Sequence, residues 1–250
     1  MSDIQRLASP EGRDLAYCRT DGAGPCIVFL SGYKSDMEGT KAVHLEAWAR
    51  ATGRAFLRLD YSGHGQSGGR FEDGCIGDWA ADAEAVIRHA VPGPVLLVGS
   101  SMGGWIAALM TQRLPEVVGL VGIAAAPDFT EDGFWASFSA AERARLMDEG
   151  VIELPSEYDD PYIVTRRLIE DGRRHLVLRA PLPMPFPVRL MQGTEDASVR
   201  RETALRLLDH IDGPDVRLSL VKGADHRFSE PANLRQIEAA IEDVLRASAA

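Results

Sequence analysis

Six short runs of aliphatic and β-branched residues recur along the chain: CIVFL (26–30), AFLRLD (55–60), VLLVG (95–99), VVGLVGIA (117–124), VRLMQG (188–193) and VRLSLV (216–221). Helical patterns fill the spaces between them, at 40–52, 76–90, 105–113, 199–210 and 233–245. Apolar runs of this length separated by helices arise when parallel strands are covered on both faces, because each strand then buries both of its sides. The pattern predicts an α/β fold: a doubly wound, mostly parallel sheet with helices on both faces.

The alternation breaks once. From 127 to 187 the sequence turns helical and irregular and ends in the proline series APLPMPFP. Prolines favour an extended return to the next strand. We read 1–126 together with 188–250 as the core, and 127–187 as a helical cap inserted over the carboxyl edge of the sheet.

Composition narrows the function. A formal charge of −10 over 250 residues argues against nucleic-acid binding, which needs a basic face. No apolar run approaches the length of a membrane span. The three cysteines, Cys18, Cys26 and Cys75, are isolated, without the paired spacing of a zinc or redox site. They read as buried thiols. The first residues, MSDIQRLASPEGRDLAY, carry neither a secretory apolar core nor an amphipathic basic pattern. These features predict a cytoplasmic enzyme or binding protein.

The stretch GSSMGGW (99–105) carries the chemistry. G-x-S-x-G fits in one register only, centred on Ser101, with the strand VLLVG before it and a helical pattern after it. That is the context of a nucleophile elbow. Serine needs a base to take its proton and an acid to orient that base. In this architecture both should follow the serine, each at the end of a strand. Asp196 in TED, after VRLMQG, and His226 in ADHRF, after VRLSLV, stand at those places. Glu195, Asp225 and Asp128 are neighbouring or competing acids, of which Asp196 is favoured as the orienting one. His64, in DYSGHGQSGG, comes before the serine and reads as part of a structural turn. The oxyanion formed on attack needs donors: the backbone N–H of Met102, and that of Tyr33 in the loop FLSGYKSDM.

Ser101, Asp196, His226, the SGY loop and DYSGHGQSGG together resemble the α/β-hydrolase superfamily over essentially the whole chain. More narrowly, FLSGYKSDMEGTKA, VGSSMGGW and ADHR look like the branch of mitochondrial acyl-protein (palmitoyl-protein) thioesterases and acyl-glucuronide esterases. The resemblance implies hydrolysis of a carboxylic ester or thioester through an acyl-enzyme on Ser101, with no cofactor and no metal. Ser31–Gly32 stands where the superfamily commonly has His-Gly.

The cap should select the substrate. Trp135, Phe138, Met147 and Phe186, with Phe134, Leu146 and Met184, are candidates for an acyl pocket or for the cap's own core. Arg166, Arg167, Arg173 and Arg174 suit a solvated helix face better than an anion clamp. Two other readings stay open at this point: a non-catalytic ligand receptor on the same fold, and hydrolysis of peptide or carbon–carbon bonds. A peptide-directed cap would present an acidic anchor, for which Glu142, Asp148 and Glu149 are the residues to inspect.

Overall fold

The strands bury both sides. In the computed structural model, which describes residues 3–154 and 162–249, Cys26, Val28 and Leu30 face one apolar layer while Ile27 and Phe29 face the other. Val95 and Leu97 divide from Leu96 and Val98 in the same way. This is the two-residue period of a strand expressed in a sheet with two covered faces.

The first half of the chain runs β1 (Ile4–Ala8), β2 (Asp14–Thr20), β3 (Ala23–Leu30), α1 (Thr40–Ala51), β4 (Arg54–Leu59), α2 (Ile76–Ala90), β5 (Val95–Ser100), α3 (Met102–Arg113) and β6 (Val117–Ile123). A seven-residue π-helix (Phe129–Trp135), α4 (Ala140–Glu149), β7 (Val151–Leu154), β8 (Tyr162–Thr165), α5 (Arg166–Gly172) and β9 (Leu182–Pro183) come next. The chain then runs β10 (Val188–Gly193), α6 (Arg201–His210), β11 (Ile211–Asp212), β12 (Val216–Val221) and α7 (Pro231–Ser248).

Eight strands form one sheet in the order β1-β2-β4-β3-β5-β6-β10-β12. The six from β4 to β12 are parallel, and β2 is antiparallel to β4. The fold is α/β, as the alternation predicts. Helices α1 and α7 cover one face through Leu45, Ala49, Ile237, Ile241 and Val244. Helices α2, α3 and α6 cover the other through Trp79, Val86, Ile106 and Leu207. Each such leucine, isoleucine or valine, fully buried, contributes about 1.5–3 kcal/mol.

The elements between β6 and β10 lie outside this sheet; β7 pairs with β8, and β9 with β11. Local signals set their ends. Ser139 and Glu142 form a reciprocal capping box that starts α4, and Gly150 at φ 84° stops it. Thr165 caps α5 by accepting the Leu168 N–H at 3.0 Å. Of the stretch read as a cap, residues 155–161 fall outside the described ones.

Asp128 ties this segment down. Its side chain is fully buried and accepts the N–H groups of Val177 (2.8 Å) and Leu178 (3.0 Å), with Arg179 at 3.1 Å. Burial pushes its carboxyl up, against those donors. The competing acid is thus engaged by the chain that leads back to β9.

Candidate active site

Strand β5 runs straight into Ser101, whose φ of 55° and ψ of −121° put a non-glycine residue in a strained conformation. Such a conformation costs of order 1–3 kcal/mol and persists only where its surroundings enforce it. They do so here through glycine. A Cβ on Gly103 would lie 2.0 Å from the carbonyl oxygen of Leu30, and one on Gly32 would lie 3.2 Å from the Ser101 Cβ. The end of β3, the loop after it and the start of α3 are therefore packed as closely as backbones permit.

Asp196 leaves the end of β10, and His226 sits in the loop between β12 and α7. The structure brings both to the serine. His226 Nε2 lies 3.1 Å from Ser101 Oγ, and His226 Nδ1 lies 2.9 Å from Asp196 Oδ2. The Asp196 side chain has no exposed surface, whereas His226 keeps 19%. Asp196 Oδ1 also accepts the N–H groups of Ser198 (2.9 Å) and Val199 (2.7 Å). Burial alone would raise this carboxyl, but His226, the Val199 amide and Gln192 outweigh it and hold it below the ordinary carboxylate range.

Gln192 is a member of the site that sequence reasoning misses. Fully buried at the end of β10, it donates from Nε2 to Asp196 Oδ2 (2.9 Å) and to the Val199 carbonyl (3.0 Å). The only sequence cue is an amide in a strand whose other residues, Arg189 apart, are apolar. Glu195 lies beside Asp196 but is exposed, and Asp225 accepts the Phe228 N–H at 3.0 Å instead of facing the serine.

Tyr33 and Met102 flank Ser101. Among the described residues neither backbone N–H has an acceptor, and that of Met102 opens α3, at the positive end of its dipole. The Tyr33 phenol packs in an aromatic cluster with Phe71, Trp79, Phe129 and Phe134, and donates to the Ile163 carbonyl at 2.5 Å. Burial pushes that phenol well above its ordinary range.

Ser101 and His226 open onto a cleft of about 1270 Å³. Its apolar wall comes from Tyr33, Phe129, Phe134, Leu154, Tyr162 and Leu178. Of the residues proposed from sequence for an acyl pocket, Trp135, Phe138, Met147 and Phe186 do not line it. Phe138 is in the core, only 5% exposed, and Met147 faces solvent at 38%. Trp135 lies under the guanidinium groups of Arg143 and Arg173, and Phe186 packs on the core. Their apolar character was legible, but the direction each faces depends on its own element, and for Trp135 that is a π-helix, which sequence periodicity does not announce. Phe134 alone of the wider set lines the cleft.

The arginines are engaged structurally: Arg167 pairs with Asp78, Arg173 with Glu131 and Arg174 with Asp171, while Arg166 donates to the Met147 carbonyl. Glu142, Asp148 and Glu149 do not line the cleft either. Among the described residues no group of three or more metal-ligating side chains is gathered, and no helix is long and apolar enough to cross a membrane.

Comparison with known proteins identifies the family and the fold. The profile of the alpha/beta hydrolase family matches residues 27–239. The palmitoyl-protein thioesterase of Bos taurus mitochondria is 35% identical over 98% of this chain and 80% of its own length. A putative hydrolase from Agrobacterium vitis S4 superimposes with a TM-score of 0.92 at 39% identity, covering 97% of this chain and 99% of that one. Mouse alpha/beta hydrolase domain-containing protein 10 gives 0.91 at 33% identity, covering 98% and 99%. One expectation is corrected here. The cytoplasmic placement read from the first residues is overturned by relatives that are mitochondrial proteins in cattle, rat and human, and these point to mitochondria instead. The lack of a basic amphipathic pattern describes those residues and does not fix a compartment.

Proposed function

The chain belongs to the alpha/beta hydrolase family, and on that premise we propose that it cleaves carboxylic esters or thioesters through an acyl-enzyme on Ser101. His226 Nε2 takes the Ser101 Oγ proton as Oγ bonds to the acyl carbon. Asp196 receives the Nδ1–H bond, fixes the tautomer and stabilises the imidazolium. The N–H groups of Tyr33 and Met102 bind the oxyanion, a kind of contact worth about 3 kcal/mol per donor in the transition state. Collapse breaks the bond to the leaving thiolate or alkoxide, which takes the proton from Nε2. Water then repeats the sequence on the acyl-enzyme, releasing the acid and restoring Ser101.

The observation that carries the reading is the continuous contact Ser101–His226–Asp196 opening onto a cleft through Ser101 and His226, next to two N–H groups that have no acceptor among the described residues. Stretch 127–187 acts as the cap, since Phe129, Phe134, Leu154 and Leu178 from it form the apolar wall. That wall, together with relatives that are palmitoyl-protein thioesterases, favours a long acyl group on a thioester. The test is kcat/KM across esters and matching thioesters from acetyl to palmitoyl, with covalent labelling by a fluorophosphonate. Ser101→Ala should lose at least about a thousandfold in rate and all labelling while keeping its Tm. Turnover unchanged in that variant would remove the assignment.

A further inference from the structure

Lys41 is placed where two physical effects oppose it. It stands in the first turn of α1, where the helix dipole is positive, and no acidic residue in that turn offsets it. It is also partly buried at the cleft wall, and that burial, against the charge of Asp225, brings its ammonium down to about 8. A cation held at the wrong end of a helix and partly withdrawn from water disfavours the fold unless it makes a compensating contact. Its Nζ donates to the carbonyl oxygen of Arg227, the residue after His226.

The loop that carries His226 needs such a tether. It turns through Phe228 at φ 52°, a left-handed conformation for a bulky aromatic, whose side chain is fully buried beneath α1 and α7. Within the loop, Asp225 accepts the Phe228 N–H at 3.0 Å, and the Ser229 hydroxyl donates to the Arg227 carbonyl at 2.9 Å. Lys41 reaches the same carbonyl from outside, joining the loop to a helix packed on the sheet. We propose that Lys41 is a positioning residue: by holding the Arg227 carbonyl it fixes the imidazole of His226 between Ser101 and Asp196.

This rests on His226 being the base proposed above, so the test reads loop order apart from turnover. Lys41→Met removes the donor, and Lys41→Arg retains one. On a short acyl ester, Lys41→Met should lose about ten- to a hundredfold in kcat, the scale of a small misplacement, with KM within about twofold. Its Tm should stay level or rise, because a disfavoured charge has gone. Lys41→Arg should recover most of the rate. The low-field proton signal of the His226–Asp196 hydrogen bond, sharp in the wild type, should broaden in Lys41→Met. An unchanged signal would overturn the proposal whether or not the protein turns over its ester. So would a rate loss matched by a fall in Tm, or a loss confined to esters with an anionic leaving group. If Ser101→Ala were as active as wild type while the signal still broadened, the hydrolase reading would fail and the tether would stand.

Discussion

Acidification should destabilise this protein through His64, and the size of the effect comes from its cage. The ring is 4% exposed and meets Tyr61, Phe71 and Trp79 edge-on at centroid distances of 5.5, 5.1 and 5.1 Å. Nδ1 lies 3.2 Å from the Ser62 carbonyl, and Nε2 has no partner among the described residues. Burial lowers the imidazole from an ordinary 6.5 to about 4, against the Ser62 bond and the charge of Asp36. A group depressed on folding contributes stability that is present above its unfolded value and lost as pH falls towards its folded value. The window is therefore pH 6.5 to about 4, and the loss is about 2 kcal/mol by pH 5 and about 3 kcal/mol by pH 4.

Carboxylates titrate in the same range, so the measurement is a difference. Urea unfolding of wild type and His64→Phe would be followed from pH 7 to pH 4. At pH 7 the two should agree within about 1 kcal/mol, since the Ser62 carbonyl keeps a bond from Trp79 Nε1 at 3.1 Å. At pH 5 the variant should have lost about 2 kcal/mol less than wild type. Parallel stability curves would refute the reasoning. A variant crippled in kcat at pH 7 would refute the structural role of His64.

Two substitutions test the remaining assignments. Asp128→Asn leaves one acceptor for the amides of Val177 and Leu178, and should cost about 1–3 kcal/mol in urea unfolding with kcat nearly unchanged. A ten-thousandfold loss of kcat at full stability, the scale expected of an orienting acid, would transfer that role from Asp196. At Gly133 a Cβ would meet only the Phe129 Cβ, at 3.7 Å, and the residue lines the cleft. Gly133→Leu should slow palmitoyl substrates about tenfold, a 1–2 kcal/mol effect, spare acetyl ones and hold or raise Tm; equal rates on both would place the acyl chain elsewhere.

The parts of the molecule governed by period and chain order were readable from sequence. The strand at 188–193 and the helix at 76–90 have the predicted bounds, because each is a single apolar pattern closed by clear ends. β1 escaped because it is an edge strand with its side chains mostly in solvent, so no apolar run marks it. α3 begins at Met102, earlier than its pattern suggests, since two glycines that weaken a helix are held in it by close packing on β3 and β5. Around Ser101, chain order put the serine, acid and histidine at strand ends. Lys41 and Gln192 gave no such signal, because what each does depends on which backbone or carboxylate comes within reach. Lys41 read only as part of a helix start.

The π-helix at Phe129–Trp135 holds one more residue than an α-helical path between the same ends would need. Removing one residue from it would restore ordinary helical spacing between the same ends and re-aim the side chains within it, leaving the residues beyond in place. Phe134 would swing off the cleft wall and a neighbour would take its place, with the sheet, the elbow and the His226 loop untouched. On the proposed reading, the acyl preference set at this wall would be open to change by a single deletion.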